Sequence, residues 1–93
     1  MATDVMLRIR RAVRDRRYDF ADHLLDKVAA DNLTTDDALN VLLAGALDST
    51  YNDDPRGLRY VVRGDVGTSD VDVVCRFSRD GSRLIIVTAY VVD

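Results

Sequence analysis

The chain has 93 residues, 47% of them hydrophobic, and a net charge of −3, which is the composition of one small globular domain spanning residues 1–93. The acidic balance argues against a general nucleic-acid coat protein, because such proteins are normally basic. The single cysteine, Cys75, excludes an internal disulfide and a cysteine-based metal cluster, and it indicates a reducing compartment. The N-terminal residues contain no signal-peptide core, and no apolar run approaches the roughly 18 residues of a membrane helix. We therefore expect a cytoplasmic protein that makes no membrane contact.

The first predicted helix begins at Thr3 or Asp4, either of which can cap it, and runs to about Arg16. Apolar residues recur at helical spacing on one side, and arginines fill the opposite side. The arginines crowded into this segment are Arg8, Arg10, Arg11, Arg14, Arg16 and Arg17. They form either an ordinary solvated face or a contact for nucleic acid or an acidic partner.

Two further helices are predicted after a short extended segment at 18–20. The second begins at Asp22 and ends at the turn signal of residues 31–32. The third begins at Thr34 or Thr35, carries two aspartates in its first turn, and ends near Gly45.

Strands and turns make up the rest of the chain, with predicted strands at 47–51, 58–63, 71–77 and 83–92. The last two are joined by a hairpin turn at 79–82. Helices followed by strands predict an α+β fold, in which two to three N-terminal helices pack on one face of a small, mainly antiparallel, C-terminal β-meander.

Strict alternation along the last strand divides its side chains between two faces. The face expected to pack against the helices is purely aliphatic and consists of Ile85, Val87, Ala89 and Val91. The other face carries Thr88 and Tyr90, together with Leu84, Ile86 and Val92, whose apolar surface would need a cover.

The same alternation gathers a polar set on the side of the sheet that the helices leave open: Arg59, Arg63, Asp72, Arg76, Thr88 and Tyr90. Guanidinium groups suit phosphodiester oxygens, and a tyrosine ring can stack on a base. The alternative is an ordinary wet sheet face, whose cross-strand Arg–Asp pairs contribute about 0.2–1 kcal/mol each.

His23 is the only histidine, and an unperturbed imidazole suits proton transfer near neutral pH. The alternative is a ring that is simply hydrogen-bonded at the start of the second helix. One histidine among scattered aspartates is not a metal-ligand spacing, so we expect no metal and no cofactor. Cys75 falls on the expected core face, which indicates a small buried thiol rather than a nucleophile.

Four segments together resemble a known family: FADHLL around His23, LTTDDALNVLLAGALDSTYNDDPRG through Gly45 and Tyr51, YVVRG at 60–64, and IIVTAY at 85–90. Over nearly the whole chain after position 17, the sequence resembles a bacterial and archaeal domain-of-unknown-function family, number 4258. Its genes often lie beside those of small zinc-finger antitoxin-like proteins. The chain differs from many relatives at Asp72, where they carry a histidine.

That family is placed near the RelE-like and colicin-like ribonuclease toxins, so the resemblance implies a RelE-like toxin fold and metal-independent cleavage of RNA by transesterification. It implies His23 as acid or base, Arg63 and Thr88 as phosphate ligands, and Tyr90 as a stacking or donating group. The face argument adds Arg59 and Arg76 as RNA- or phosphate-binding residues.

We therefore expect a toxin-type ribonuclease with its active face on the exposed side of the sheet and a protein antitoxin as its partner. One alternative is a non-catalytic module that uses the same face to bind RNA or a protein. Another is an interaction protein whose Leu84, Ile86 and Val92 are covered by a homodimer mate.

Overall fold

The structure, a computed structural model, describes residues 2–22, 24–52, 57–67 and 69–92. Within these ranges the chain forms three helices and five strands, and the fold is α+β, as predicted. In chain order the elements are α1 (Ala2–Arg14), β1 (Tyr18–Phe20), α2 (Leu24–Ala30), α3 (Thr35–Ala44), β2 (Ala46–Tyr51), β3 (Arg59–Asp65), β4 (Asp70–Phe77) and β5 (Leu84–Val92). None of the described helices is both long and apolar enough to cross a lipid bilayer.

The five strands form one mixed sheet in the order β1-β5-β4-β3-β2. Strands β2 to β5 pair antiparallel with their neighbours, which confirms the predicted meander. The short β1 pairs parallel with β5, so β5 has a neighbour on each edge. Arg83, just before β5, reinforces this pairing, because its Nε lies 2.7 Å from Asp19 Oδ2.

Local signals define the ends of the helices. Helix α3 begins with a capping box, in which Asp37 N–H donates to Thr34 Oγ1 and Thr34 N–H donates to Asp37 Oδ2, both at 3.0 Å. It ends where Gly45 N–H donates to the carbonyl of Val41 at 2.7 Å. Helix α1 begins by Ala2, so the predicted capping position at 3 or 4 is wrong and falls inside its first turn. It ends before Arg16, which has a φ of 58°.

The end of α3 lies directly against β3. A Cβ atom on Gly45 would lie 2.5 Å from the carbonyl oxygen of Arg63 and 2.6 Å from that of Val41. A Cβ on Gly64 would lie 3.3 Å from the Cα of Gly45. Gly45 has an ordinary φ of −80°, so its backbone conformation does not require glycine. Glycine is required here because the neighbouring backbone leaves no room for a side chain. The contact ties α3 to the strand that carries Arg63.

A β-bulge interrupts the alternation of β5. Val74 of β4 opposes Thr88, while the next residue, Cys75, opposes Ile86, so Val87 is left as the extra residue. Before the bulge Leu84 and Ile86 point into the core, although strict alternation placed them on the open face.

After the bulge the odd-numbered residue Ala89 takes over the core side and is fully buried, as Leu84 and Ile86 are before it. The predicted face assignment is therefore wrong for the first half of β5 and correct for the second half. Leu84 and Ile86 are covered by the protein's own core, which removes them as an argument for a homodimer mate.

The helices pack against one face of the sheet and leave the other face open. Helix α2 packs on β5, and α3 packs on β3 and β4 as well as on α1. The largest fully buried side chains of this core are Ile9, Leu24, Leu42, Leu84, Ile86, Val41, Val62, Val71, Val73 and Cys75. Each large aliphatic side chain among them contributes roughly 1.5–3 kcal/mol by leaving water.

Cys75 lies in the middle of this core, and burial raises the pKa of its thiol to about 12. The thiol therefore stays protonated at neutral pH, and the prediction of a small buried thiol rather than a nucleophile is confirmed.

We expect Gly45→Ala to lower the free energy of unfolding by about 1–3 kcal/mol, because its Cβ would overlap two backbone oxygens that move only if α3 or β3 shifts. Urea unfolding followed by circular dichroism measures the loss. Gly64→Ala is the graded control, with a smaller loss expected because the atoms nearest to its Cβ, the Cα of Gly45 and the Cγ1 of Val41, would both lie 3.3 Å away rather than 2.5 Å. An unchanged midpoint for Gly45→Ala would contradict the close approach.

Candidate functional site

The face of the sheet that the helices leave open, here called the outer face, collects the polar side chains of three adjacent strands. The strand register aligns them in three rows: Arg63, Asp72 and Tyr90; Val61, Val74 and Thr88; and Arg59, Arg76 and Ile85. The bulge in β5 brings Thr88 and Tyr90 onto this face, because it reverses the alternation after Ile86. Five of the six predicted site residues therefore share one surface.

His23, the sixth predicted site residue, lies outside the described residues. Among the residues that the structure describes, no group of three or more histidine, cysteine or acidic side chains is arranged to hold a metal ion.

A groove of about 360 Å³ occupies the middle of the outer face. Its lining residues are Tyr51, Arg59, Val61, Val74, Thr88 and Tyr90. Val61 and Val74 are 4% and 8% exposed and form an apolar floor, whereas Tyr51 and Tyr90 are 48% and 39% exposed and form walls. An apolar floor with a few polar groups around it is the usual composition of a small-ligand site.

Tyr51 is a site residue that the sequence reasoning did not assign. It lies at the end of the edge strand β2, where it opposes Arg59 of β3. Ser49 and Tyr51 are two residues apart, so alternation places both on the same face of β2. A register irregularity between Leu47 and Ser49 breaks this alternation, so the earlier residues of β2 do not show which face it is. Only the pairing of β2 with β3 shows that this tyrosine reaches the groove.

Arg63 and Asp72 form a bidentate ion pair beside the groove. Arg63 Nε lies 2.7 Å from Asp72 Oδ1, and Arg63 Nη2 lies 3.1 Å from Asp72 Oδ2. Asp72 is only 5% exposed, so removing Arg63 would leave a buried carboxyl group without this partner. The hydrogen bonds and the charge of Asp72 raise the pKa of the Arg63 guanidinium above its ordinary value.

A second carboxylate approaches the same guanidinium, because Arg63 Nη1 lies 3.7 Å from Asp48 Oδ1. Asp48 is the residue at the register irregularity of β2, which re-aims its side chain toward Arg63. Arg63 is thus held on two sides by acidic groups, and 43% of its side chain remains exposed to solvent. A ligand can reach that exposed part only beside the bound carboxylates.

Tyr90 lies next to the ion pair in the same row. Partial burial, followed by the nearby charge of Asp72 and the Tyr51 phenol, raises the pKa of Tyr90 above its ordinary value. A hydrogen bond with the Asp72 carboxylate adds to this effect, so the phenol keeps its proton at neutral pH. It lies within electrostatic reach of Tyr51, so the two groove walls converge over the valine floor.

Arg59 and Arg76 oppose each other directly in the third row, toward the end of the sheet that carries the β4–β5 turn. Guanidinium groups on opposed residues of two neighbouring strands add positive charge at this end of the outer face. The outer face thus combines a cationic end, a central groove with aromatic walls, and an ion-paired arginine. This arrangement can hold a phosphate group and a flat ring together.

Comparison with known proteins gives one result. The family model described as Domain of unknown function (DUF4258) matches residues 20–91, which confirms the family part of the resemblance. No curated protein and no solved structure matches the chain.

We expect Arg63→Met to lower the free energy of unfolding, because the buried carboxylate of Asp72 loses its main partner. Chemical unfolding at neutral pH measures the loss, and replacing Asp72 by leucine in the same protein should restore part of it. The matched control is Arg83→Met, whose pair with Asp19 is exposed on both sides, so its loss should be clearly smaller. Equal losses for the two arginines would contradict a special role for the Arg63–Asp72 pair.

We expect Tyr90 to ionise above its ordinary pKa of 10.0. Because folding raises this pKa, the stability that the protonated phenol contributes is present below pH 10.0 and is lost as the pH rises through the folded-state value. Ultraviolet absorbance measured against pH follows the formation of tyrosinate. Tyr90→Phe should remove the component of this titration that appears at high pH. Asp72→Asn should move that component toward lower pH. If the titration component that Tyr90→Phe removes is centred at or below pH 10.0, the surroundings of Tyr90 do not raise its pKa and the prediction is wrong.

Proposed function

We propose a function for this chain as a member of the family of domains of unknown function DUF4258, to which it belongs. The protein is a metal-independent endoribonuclease of the toxin type, which holds a single-stranded RNA segment on the outer face. The observation that carries the proposal is the groove, because it joins two exposed tyrosines, Arg59 and Thr88 next to the Arg63–Asp72 pair.

Each part of the groove suits one part of a nucleotide. Tyr51 and Tyr90 offer rings on which an unpaired base can stack, and stacking of this kind accepts any base. Arg59 and Thr88 offer a guanidinium fork and a hydroxyl to the phosphate. A double helix cannot enter, because its bases are already stacked and paired, so the groove favours a single strand.

Cleavage in this proposal follows the transesterification that the family resemblance implies. A base removes the proton of the 2′-hydroxyl, and the 2′-oxygen then forms a bond to phosphorus while the bond to the 5′-oxygen breaks. The products are a 2′,3′-cyclic phosphate and a 5′-hydroxyl. His23 has the role of base, as the resemblance implies.

The remaining roles follow from the outer face. Tyr90 keeps its proton at neutral pH and donates it to the leaving 5′-oxygen. The negative charge of the phosphorane is stabilised by Arg63, through the part of its guanidinium that Asp72 and Asp48 leave exposed. Thr88, in the row next to Tyr90, donates its hydroxyl to a phosphate oxygen.

A RelE-like fold and a protein antitoxin belong to the same proposal. The α+β architecture, with helices on one side of an antiparallel meander, supports the fold because it leaves the outer face open for RNA. An antitoxin that covers this face would silence the enzyme, since the groove and both tyrosines lie there.

A second candidate function, a non-catalytic RNA-binding module of the same fold, is favoured by one observation. Asp72 occupies the position where many relatives carry a histidine, and it binds both Nε and Nη2 of Arg63. A carboxylate committed to an ion pair is a poor replacement for an acid–base imidazole. In this case the outer face would hold RNA without cutting it.

The test is single-turnover cleavage of end-labelled single-stranded RNA, transfer RNA and ribosome-bound messenger RNA in the presence of EDTA. We expect cyclic-phosphate ends, and a rate lowered about 10²–10⁴-fold by Tyr90→Phe or His23→Ala. Tyr51→Phe is the matched control, because it keeps the ring at the other wall and loses only a hydroxyl that has no role in proton transfer.

Two outcomes would contradict the ribonuclease. If all RNAs stay intact but a labelled oligonucleotide binds saturably and Arg59→Ala weakens that binding, the protein is the non-catalytic module. If nothing is cut and nothing binds, both functions are wrong.

A further inference from the structure

A second cleft, here called the arginine cleft, lies on the opposite side of the sheet, between α1 and the β4–β5 turn. It encloses about 190 Å³, and its lining residues are Arg8, Arg11, Ala12, Arg17, Phe77 and Gly81. Three guanidinium groups therefore meet around one small concavity in a protein whose net charge is −3.

The partners of these arginines are unevenly distributed. Arg17 is engaged, since its Nη2 lies 3.3 Å from Asp15 Oδ2 and its Nη1 donates to the carbonyl of Ser82 at 3.2 Å. Within the part of the chain that the structure describes, Arg8 and Arg11 form no ion pair. They lie three residues apart on one face of α1, where like charges repel each other.

The acidic residue of the β4–β5 turn forms its hydrogen bonds within the turn itself. Asp80 Oδ1 accepts hydrogen bonds from the Ser78 and Ser82 hydroxyls, both at 2.8 Å, and from Ser82 N–H at 3.0 Å. These bonds shape the turn around Gly81, which has a φ of 76°. Asp80 is thus engaged within the turn, and the residues that line the cleft include three arginines and no acidic residue.

One of the arginines also offers a flat surface. The guanidinium carbon of Arg8 lies 4.2 Å from the centre of the Phe77 ring, in a cation–π contact. A guanidinium plane held against a ring is a surface on which nucleobases stack. An acidic peptide would use the charges of the cleft but not this stacked pair.

The arginine cleft is continuous with the cationic end of the outer face. Arg76 lies on the outer face, and the next residue of β4, Phe77, lies on the helix side at the same end of the sheet. From the groove floor at Val74 to Phe77 the distance along the strand is about 10 Å, at about 3.3 Å per residue. Positive charge therefore runs from the groove, past Arg76, and around the end of the sheet to Arg8.

We propose that the arginine cleft is a second RNA site, which binds one phosphate and the adjacent base of the same strand that occupies the outer-face groove. This inference rests on the proposed function, since it requires RNA on the outer face. A cleft of about 190 Å³ is large enough for one phosphodiester unit. RNA that is too short to reach around the end of the sheet binds the groove alone.

The test is fluorescence anisotropy with two labelled single-stranded RNAs, a trinucleotide and a strand of about 12 nucleotides, a length near the upper end of known single-strand site sizes. The cleft variant is Arg8→Gln/Arg11→Gln. The matched control is Arg14→Gln/Arg16→Gln, which removes the same charge from two exposed arginines that do not line the cleft. Arg11→Gln alone repeats the test without disturbing the contact between Arg8 and Phe77.

For the long strand we expect the cleft variant to weaken binding about tenfold or more, and to reduce the slope of log K against log salt by about 0.7, the value for one phosphate of a single strand. The control variant should change binding less than about threefold, and trinucleotide binding should stay unchanged in both. Arg59→Ala, in contrast, should weaken the binding of both RNAs, because it lines the groove.

Three outcomes would overturn the arginine cleft as an RNA site. Equal losses in the cleft and control variants would show only diffuse attraction, and equal losses for both RNA lengths would show an effect on the groove. Poly-aspartate that binds the cleft more tightly than the long RNA would show a site for an acidic protein. If the length-dependent loss is found and no RNA is cut, the ribonuclease proposal fails while the arginine cleft stands.

Discussion

The β-bulge at Val87 is the constraint on which the site depends. A strand without it would present the same set of alternate residues to the core along its whole length, so burying Leu84 and Ile86 would bury Thr88 and Tyr90 as well. With one extra residue, the first half of β5 packs under the helices and the second half turns its polar side chains outward. One strand therefore serves both the core and the outer face.

A second constraint on the site is electrostatic and comes from the Arg63–Asp72 pair. Asp72 is 5% exposed and accepts two hydrogen bonds from Arg63, and its carboxylate also raises the pKa of Tyr90 in the neighbouring strand. The contact of Gly45 with β3 holds the backbone of Arg63 close to α3. Helix, strand and ion pair thus position one edge of the groove together.

The charged residues are unevenly distributed over the protein, and this distribution matters more for binding than the net charge of −3. Arginines gather around the β4–β5 end of the sheet, on the outer face at Arg59 and Arg76 and on the helix side at Arg8 and Arg11. A local cationic surface can attract a phosphate backbone although the whole protein is acidic, because screening limits each charge to about 8–10 Å at physiological salt. Composition excluded a coat protein but not a local nucleic-acid contact.

Sequence patterns alone predicted the α+β class, the start of α3, the meander, the buried Cys75 and the polar faces of β3 and β4, because each depends on residues close together in the chain. Only the tertiary structure decided the bulge in β5, the parallel pairing of β1, the place of Tyr51 in the groove and the meeting of Arg8 with Phe77. These features depend on hydrogen-bond register and packing between segments far apart in the chain. A period-2 pattern predicts which side chains share a face, but it cannot show where a partner strand forces the pattern to shift by one residue.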